Sequence, residues 1–67
     1  MFIVEWSEAQ QAVSINTLED VILKNQQAMM EGLLPCYVPV FASESRAEAK
    51  AYSAKLREQR DLRERAH

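Results

Sequence analysis

The chain has 67 residues with one cysteine, one histidine and one glycine, and its formal net charge is −2. That length makes a single small domain spanning 1–67, which buries only about 60% of the surface its unfolded form exposes, so a lone monomer is marginally stable. A disulfide within the chain is excluded by the single cysteine. A structural zinc site is nearly excluded as well, because zinc takes four ligands and only Cys36 and His67 are soft ones. Oligomerisation or a larger partner is left to supply the missing stability.

No apolar run approaches the roughly 18 residues of a membrane span, so no membrane partner is expected. Met1 to Val4 has no basic region before it and Glu5 ends its apolar run, which does not fit a signal peptide. A reducing, cytoplasmic setting is the expectation that suits one free thiol. The small net charge hides a division. Residues 1–45 carry Lys24 alone against six acids, hence −5, while residues 46–67 carry seven Lys and Arg against four acids, hence +3. An acidic body with a basic tail suits a nucleic acid, an acidic protein, or head-to-tail self-association.

In chain order, Met1 to Trp6 alternates, with Phe2, Val4 and Trp6 on one face and Ile3 and Glu5 on the other. This predicts a short N-terminal strand. Ser7-Glu8-Ala9-Gln10 has the form of a capping box and predicts a short helical turn. A second strand through Val13 and Ile15 is the weaker reading. Leu18 to Glu31 is the clearest helix, capped by Asn16 or Thr17, with Glu19 and Asp20 in its first turn and Gly32 placed for a left-handed C-terminal cap. Leu18, Val21, Ile22, Ala28 and Met29 share the predicted core face, with Asn25 in its middle. Leu23 and Met30 form a second apolar ridge that either widens the core or meets another chain.

Pro35 and Pro39 lack an N–H, so Leu33 to Ala42 predicts an edge strand, best formed from Tyr37 to Ala42. Ser45-Arg46-Ala47-Glu48 is another capping box and opens a long helix from Arg46 to about Arg65. Ala49, Tyr52 and Leu56 are its packed stripe. Beyond them the apolar content fades, so 60–67 is expected to fray or protrude, with Arg60–Glu64 and Asp61–Arg65 pairs holding the end helical. The fold class is therefore α+β: a short N-terminal strand, a central amphipathic helix, a proline-containing edge strand and a long C-terminal helix. The alternative is a mostly α protein in which the prolyl stretch is an extended connector.

Catalysis finds little support. His67 is the terminal residue, Cys36 sits between Pro35 and Tyr37 without a base beside it and suits a small buried hydrophobe, and one glycine cannot make a phosphate loop. No cofactor and no metal is expected, and the chain is not expected to be an enzyme. The expectation is an interaction module that regulates, inhibits or helps assemble a larger protein partner, working as a homodimer, of the kind common among small accessory and phage-type gene products. Candidate partner-binding residues are Leu23, Met30, Tyr37, Val38, Val40 and Phe41, with Trp6 and Phe2 as further aromatic anchors. Arg46, Lys50, Arg57 and Arg60 fall within roughly 80° on the last helix and make one basic face. Against a solvated, salt-bridged face, an acidic protein is the preferred partner for it and nucleic acid the alternative.

Overall fold

The computed structural model describes residues 1–65, and His67 and Ala66 lie outside it. The elements in order are β1 (Phe2–Ser7), β2 (Ala12–Thr17), α1 (Leu18–Met30), β3 (Val38–Ser43) and α2 (Arg46–Arg65). The chain is a small α+β domain built on a three-stranded antiparallel sheet with strand order β2-β1-β3.

β1 is the central strand, and its alternation divides the molecule into two faces. Val4 pairs with Phe41 of β3, whose ring stacks on Tyr52 of α2 with centroids 4.4 Å apart and planes 5° apart. Phe2, Val4 and Trp6 therefore face α2. Glu5 instead reaches Lys24 of α1, so Ile3, Glu5 and Ser7 face α1. The two helices cover the sheet unequally: α2 packs on all three strands, whereas α1 packs on β1 and β2 and leaves β3 uncovered. The buried apolar side chains are few: Ile3 and Val4 of β1, Val21 of α1 and Ala49 of α2.

The segment between β1 and β2 corrects the predicted helical turn. Residues 8–11 are a hairpin turn, and Ala12–Thr17 pairs with β1 residue by residue from Ser7↔Ala12 to Phe2↔Thr17. The Gln10 N–H does bond to Ser7 Oγ, at 3.2 Å, as a cap requires. Gln11 then enters the left-handed region at φ 52° and turns the chain back as a strand.

α1 begins at Thr17, one of the two predicted caps, where Oγ1 accepts from the Asp20 N–H at 3.3 Å. Its end is a complete Schellman motif. The Leu33 N–H bonds to the Ala28 carbonyl at 2.8 Å and the Gly32 N–H to the Met29 carbonyl at 3.1 Å, with Gly32 at φ 73°. The predicted core face of this helix is rotated. Val21 is buried and Asn25 and Ala28 are half-buried, but Leu18, Ile22 and Met29 are exposed. The helix turns Lys24 toward Glu5, and that swings its apolar shoulder outward.

β3 starts one residue later than predicted and is an edge strand. Its register with β1 slips between Val4 and Glu5, so that Val40 is bulged out and Glu5 lies opposite Pro39. The opening of α2 keeps half of its capping box: Ser45 Oγ accepts from the Glu48 N–H, but the Glu48 carboxylate bonds Ser43 Oγ rather than reaching back to Ser45.

Candidate interaction surface

Eleven large apolar side chains are exposed among the described residues, and nine of them lie between Leu18 and Val40. Leu18, Ile22 and Met29 share the shoulder of α1 that the rotation turns out of the core. Leu23 and Met30 stand on its outward side. Leu33 and Leu34 follow the Schellman turn, which fixes the direction in which the chain leaves α1, and Leu34 is 93% exposed. Val38 and Val40 line the edge strand. A monomer seldom leaves so much apolar area in water without a use for it.

A cavity of about 210 Å³ opens in this surface, between Lys24, Asn25 and Ala28 of α1 and Leu33, Leu34 and Tyr37 of the connector. Drug-sized ligands occupy cavities of about 300 Å³ or more, so this one has the size for an inserted side chain. Tyr37 is held at its rim, with its hydroxyl donating to Gln10 Oε1 at 3.0 Å and the Lys24 ammonium 5.6 Å from the ring centroid.

Beneath the surface lies a polar cluster that the sequence did not announce. Glu5 is fully buried; its Oε1 accepts from Asn16 Nδ2 at 2.7 Å and from Lys24 Nζ at 3.0 Å. Glu5 Oε2 is buried without a hydrogen-bond partner. A buried carboxylate is costly unless paired, so Lys24 is tied to this position. Lys24, the only Lys or Arg in residues 1–45, is thus taken up internally, and Glu44 pairs with the Met1 ammonium at 3.6 Å, so Glu19, Asp20 and Glu31 on and beside α1 are left without a Lys or Arg neighbour from that half of the chain.

The predicted site residues are therefore split. Leu23, Met30, Val38 and Val40 are exposed, and Tyr37 is half-buried at the cavity rim. Phe41 points the other way and is occupied by Tyr52. Trp6 and Phe2, also half-buried, face α2: the Trp6 indole donates to Glu8 Oε2 at 2.7 Å and Arg63 lies 5.9 Å from its ring centroid. Those contacts, the indole bond first, then Gln11 and the Arg63 charge, hold the Glu8 carboxyl below the ordinary glutamate range. Cys36 is exposed, a correction to its expected burial, and its thiol lies 3.0 Å from Ser7 Oγ. The missed residues are Leu33, Leu34 and Glu5. The first two carry a signal in sequence, two leucines directly after a C-cap glycine.

On α2, Arg46, Lys50 and Arg57 are exposed. Arg60 is not free to join them: it donates through Nη1 to the Gln11 carbonyl at 3.1 Å and pairs with Asp61 at 3.2 Å. These bonds replace the expected pairing with Glu64. Together with Arg63 over Trp6, they tie part of the 60–67 segment to the sheet. Among the described residues no three His, Cys, Asp or Glu side chains converge as metal ligands, and no helix is long and apolar enough to cross a membrane. No protein-family model, curated protein or solved structure matches the chain.

Proposed function

We propose that this chain is a non-enzymatic, cytoplasmic interaction module that regulates, inhibits or helps assemble a larger protein by covering part of its surface. The observation that carries this reading is the group of exposed apolar side chains on α1 and its connector, Leu18 to Leu34, beside a cavity of side-chain size. Its acidic surround favours a partner face that is apolar at its centre and basic at its rim.

A homodimer through the same surface is the competing reading, supported by the small core. It sets Glu19, Asp20 and Glu31 of each copy against acids of the other, so a foreign basic partner satisfies the surface better. The test is affinity capture from the native host with the wild type and with Met30→Glu/Leu34→Glu, alongside sedimentation of both. A protein held by the wild type and lost by the double variant, at unchanged circular dichroism and melting temperature, is the expected result. Identical capture by both forms would refute the proposal. A wild-type dimer that the double variant dissolves would assign the surface to self-association.

A further inference from the structure

The sheet has two edges, and they are built differently. β3 is protected: Pro39 has no N–H, and the bulge at Val40 breaks the flat run of backbone groups. β2, the other edge, has none of these devices. Its six residues, Ala-Val-Ser-Ile-Asn-Thr, contain no proline and no charge, and its register with β1 runs without a bulge. The Leu18 N–H donates to the Met1 carbonyl at 3.0 Å, which sets the phase of the ladder. By alternation, Asn16, Ser14 and Ala12 bond toward β1, and Val13 and Ile15 turn their N–H and C=O groups outward, as Thr17 does its N–H, the Thr17 carbonyl being taken up by the first turn of α1.

The basic stripe of α2 runs beside this same edge. Arg46 and Lys50 share a cavity with Ile15, Asn16 and Thr17 near one end of β2. Arg60 bonds the Gln11 carbonyl just before the other end, and Arg57 lies between them on the helix. From Arg46 to Arg57 the helix advances about 16 Å. Val13 to Thr17 spans about 14 Å of strand, so cations and free backbone groups are matched in length. Residues of an added strand that lie opposite Val13, Ile15 and Thr17 direct their side chains to the α2 face, which is the face that bears the cations.

We infer that the β2 edge, with Arg46, Lys50 and Arg57 beside it, accepts an extended acidic segment of a partner protein as a fourth antiparallel strand. This surface is separate from the apolar one, and the inference does not rest on it. The edge supplies main-chain bonds, and the stripe selects acids at alternate positions of the guest. A second copy fits less well, because pairing β2 with its own image places both basic stripes on one face along one seam. Asp20 borders the cavity of Arg46 and Lys50, and Glu58 and Asp61 share a cavity with Arg57, but Asp61 is already paired with Arg60, and neither Arg46 nor Lys50 is held in an ion pair among the described residues. Nucleic acid fits less well too, since three cations are a thin phosphate track, Phe2, the aromatic ring that lines the same cavity, is half-buried, and Tyr52 is covered by Phe41.

The probes are a fluorescein-labelled peptide of alternating Glu and Val, the same peptide with Lys for Glu, and a single-stranded oligonucleotide of similar length. Anisotropy reads affinity, and amide shifts at Val13, Ile15 and Thr17 read the site. The Glu peptide is expected to bind at least about tenfold tighter than the Lys peptide, equivalent to about 1.4 kcal/mol. It should lose a similar factor in Lys50→Glu and retain full affinity in Met30→Glu/Leu34→Glu. Equal binding of the two peptides, shifts that miss β2, or binding of the oligonucleotide alone would overturn the inference. So would a peptide-independent dimer whose shifts map to Val13, Ile15 and Thr17.

Discussion

The two faces of the sheet solve the same problem in opposite ways. The α2 face closes with aromatic packing, Phe41 on Tyr52, over Val4 and Ala49, and its helix crosses all three strands. The α1 face places a carboxylate at its centre and covers only two strands. Pairing that carboxylate with Lys24 fixes how α1 is rotated, and the rotation leaves Leu18, Ile22 and Met29 in solvent. The exposed apolar surface is therefore not simply a shortage of core. It follows from a polar group at the middle of the sheet, which determines which side of α1 faces inward.

Removing the Glu5–Lys24 pairing is expected to have the largest effect. Lys24→Met leaves Glu5 buried with Asn16 as its one partner, and it is expected to cost about 2–3 kcal/mol, reduced from the range for fully buried pairs because Lys24 is half-exposed. A domain of this length has about 3–10 kcal/mol of stability in all, so urea midpoints should fall steeply. Glu5→Met with Lys24→Met replaces the pair by apolar groups and should recover most of the loss. If the double variant were as unstable as the single, the buried charge would not be the cause. Next in size is the other face. Tyr52→Ala removes the stacked ring from Phe41 and is expected to cost about 2 kcal/mol, below the usual range for aromatic truncation because Tyr52 is only half-buried. The same truncation at Met30, 89% exposed, should stay within about 0.5 kcal/mol.

The comparison also explains how much of the molecule was legible in its sequence. Signals that act within a few residues are legible: a cap at Asn16 or Thr17, Gly32 as a left-handed C-cap, the alternation of β1, Pro39 at an edge, and α2. The hairpin, with its second strand through Val13 and Ile15, is only the weaker reading of the sequence because Ser7 and Gln10 make the same hydrogen bond at a turn that they would make at a helix cap, so the local pattern cannot separate the two. Glu5 was placed on the correct face, yet nothing near it reveals that β1 is central and flanked on both sides. That is a property of residues 12–17 and 38–43, not of residues 1–6. The helical wheel of α1 failed for the same reason. Counting apolar residues put Leu18, Ile22 and Met29 inside, whereas a charge on a distant strand set the rotation. Of the candidate site, the exposed ridge of Leu23 and Met30 was legible. Leu33, Leu34 and the alignment of the α2 cations with β2 depended on tertiary placement.

A smaller effect is expected where α1 hands the chain to the apolar connector. A Cβ at Gly32 meets nothing within 4 Å, so Gly32→Ala tests backbone conformation alone at φ 73°. The expected cost is about 1 kcal/mol, and Gly32→Asn should cost less, since Asn tolerates the left-handed region better. A loss no larger for Ala than for Asn would mean that the Schellman turn does not constrain Leu33 and Leu34.

The smallest effect belongs to Glu8, and it contrasts the acid on the α2 side with the one under α1. Glu8 is exposed, and its carboxyl is held below the ordinary range first by the Trp6 indole bond, then by Gln11 and by the Arg63 charge. Its folded-state value is depressed, so its contribution to stability is present above the unfolded value and is lost as pH falls through the lower folded value. The urea midpoint of the wild type should therefore decline across that acid interval more than that of Glu8→Gln, and the two should converge at its lower end. Added salt should shrink the Arg63 part of the difference and leave the indole part, because an exposed charge pair is screened and a direct hydrogen bond is not. Parallel curves for the two forms would show that the indole and guanidinium contacts of Glu8 do not persist in solution, and that the α2 face is held by its rings alone.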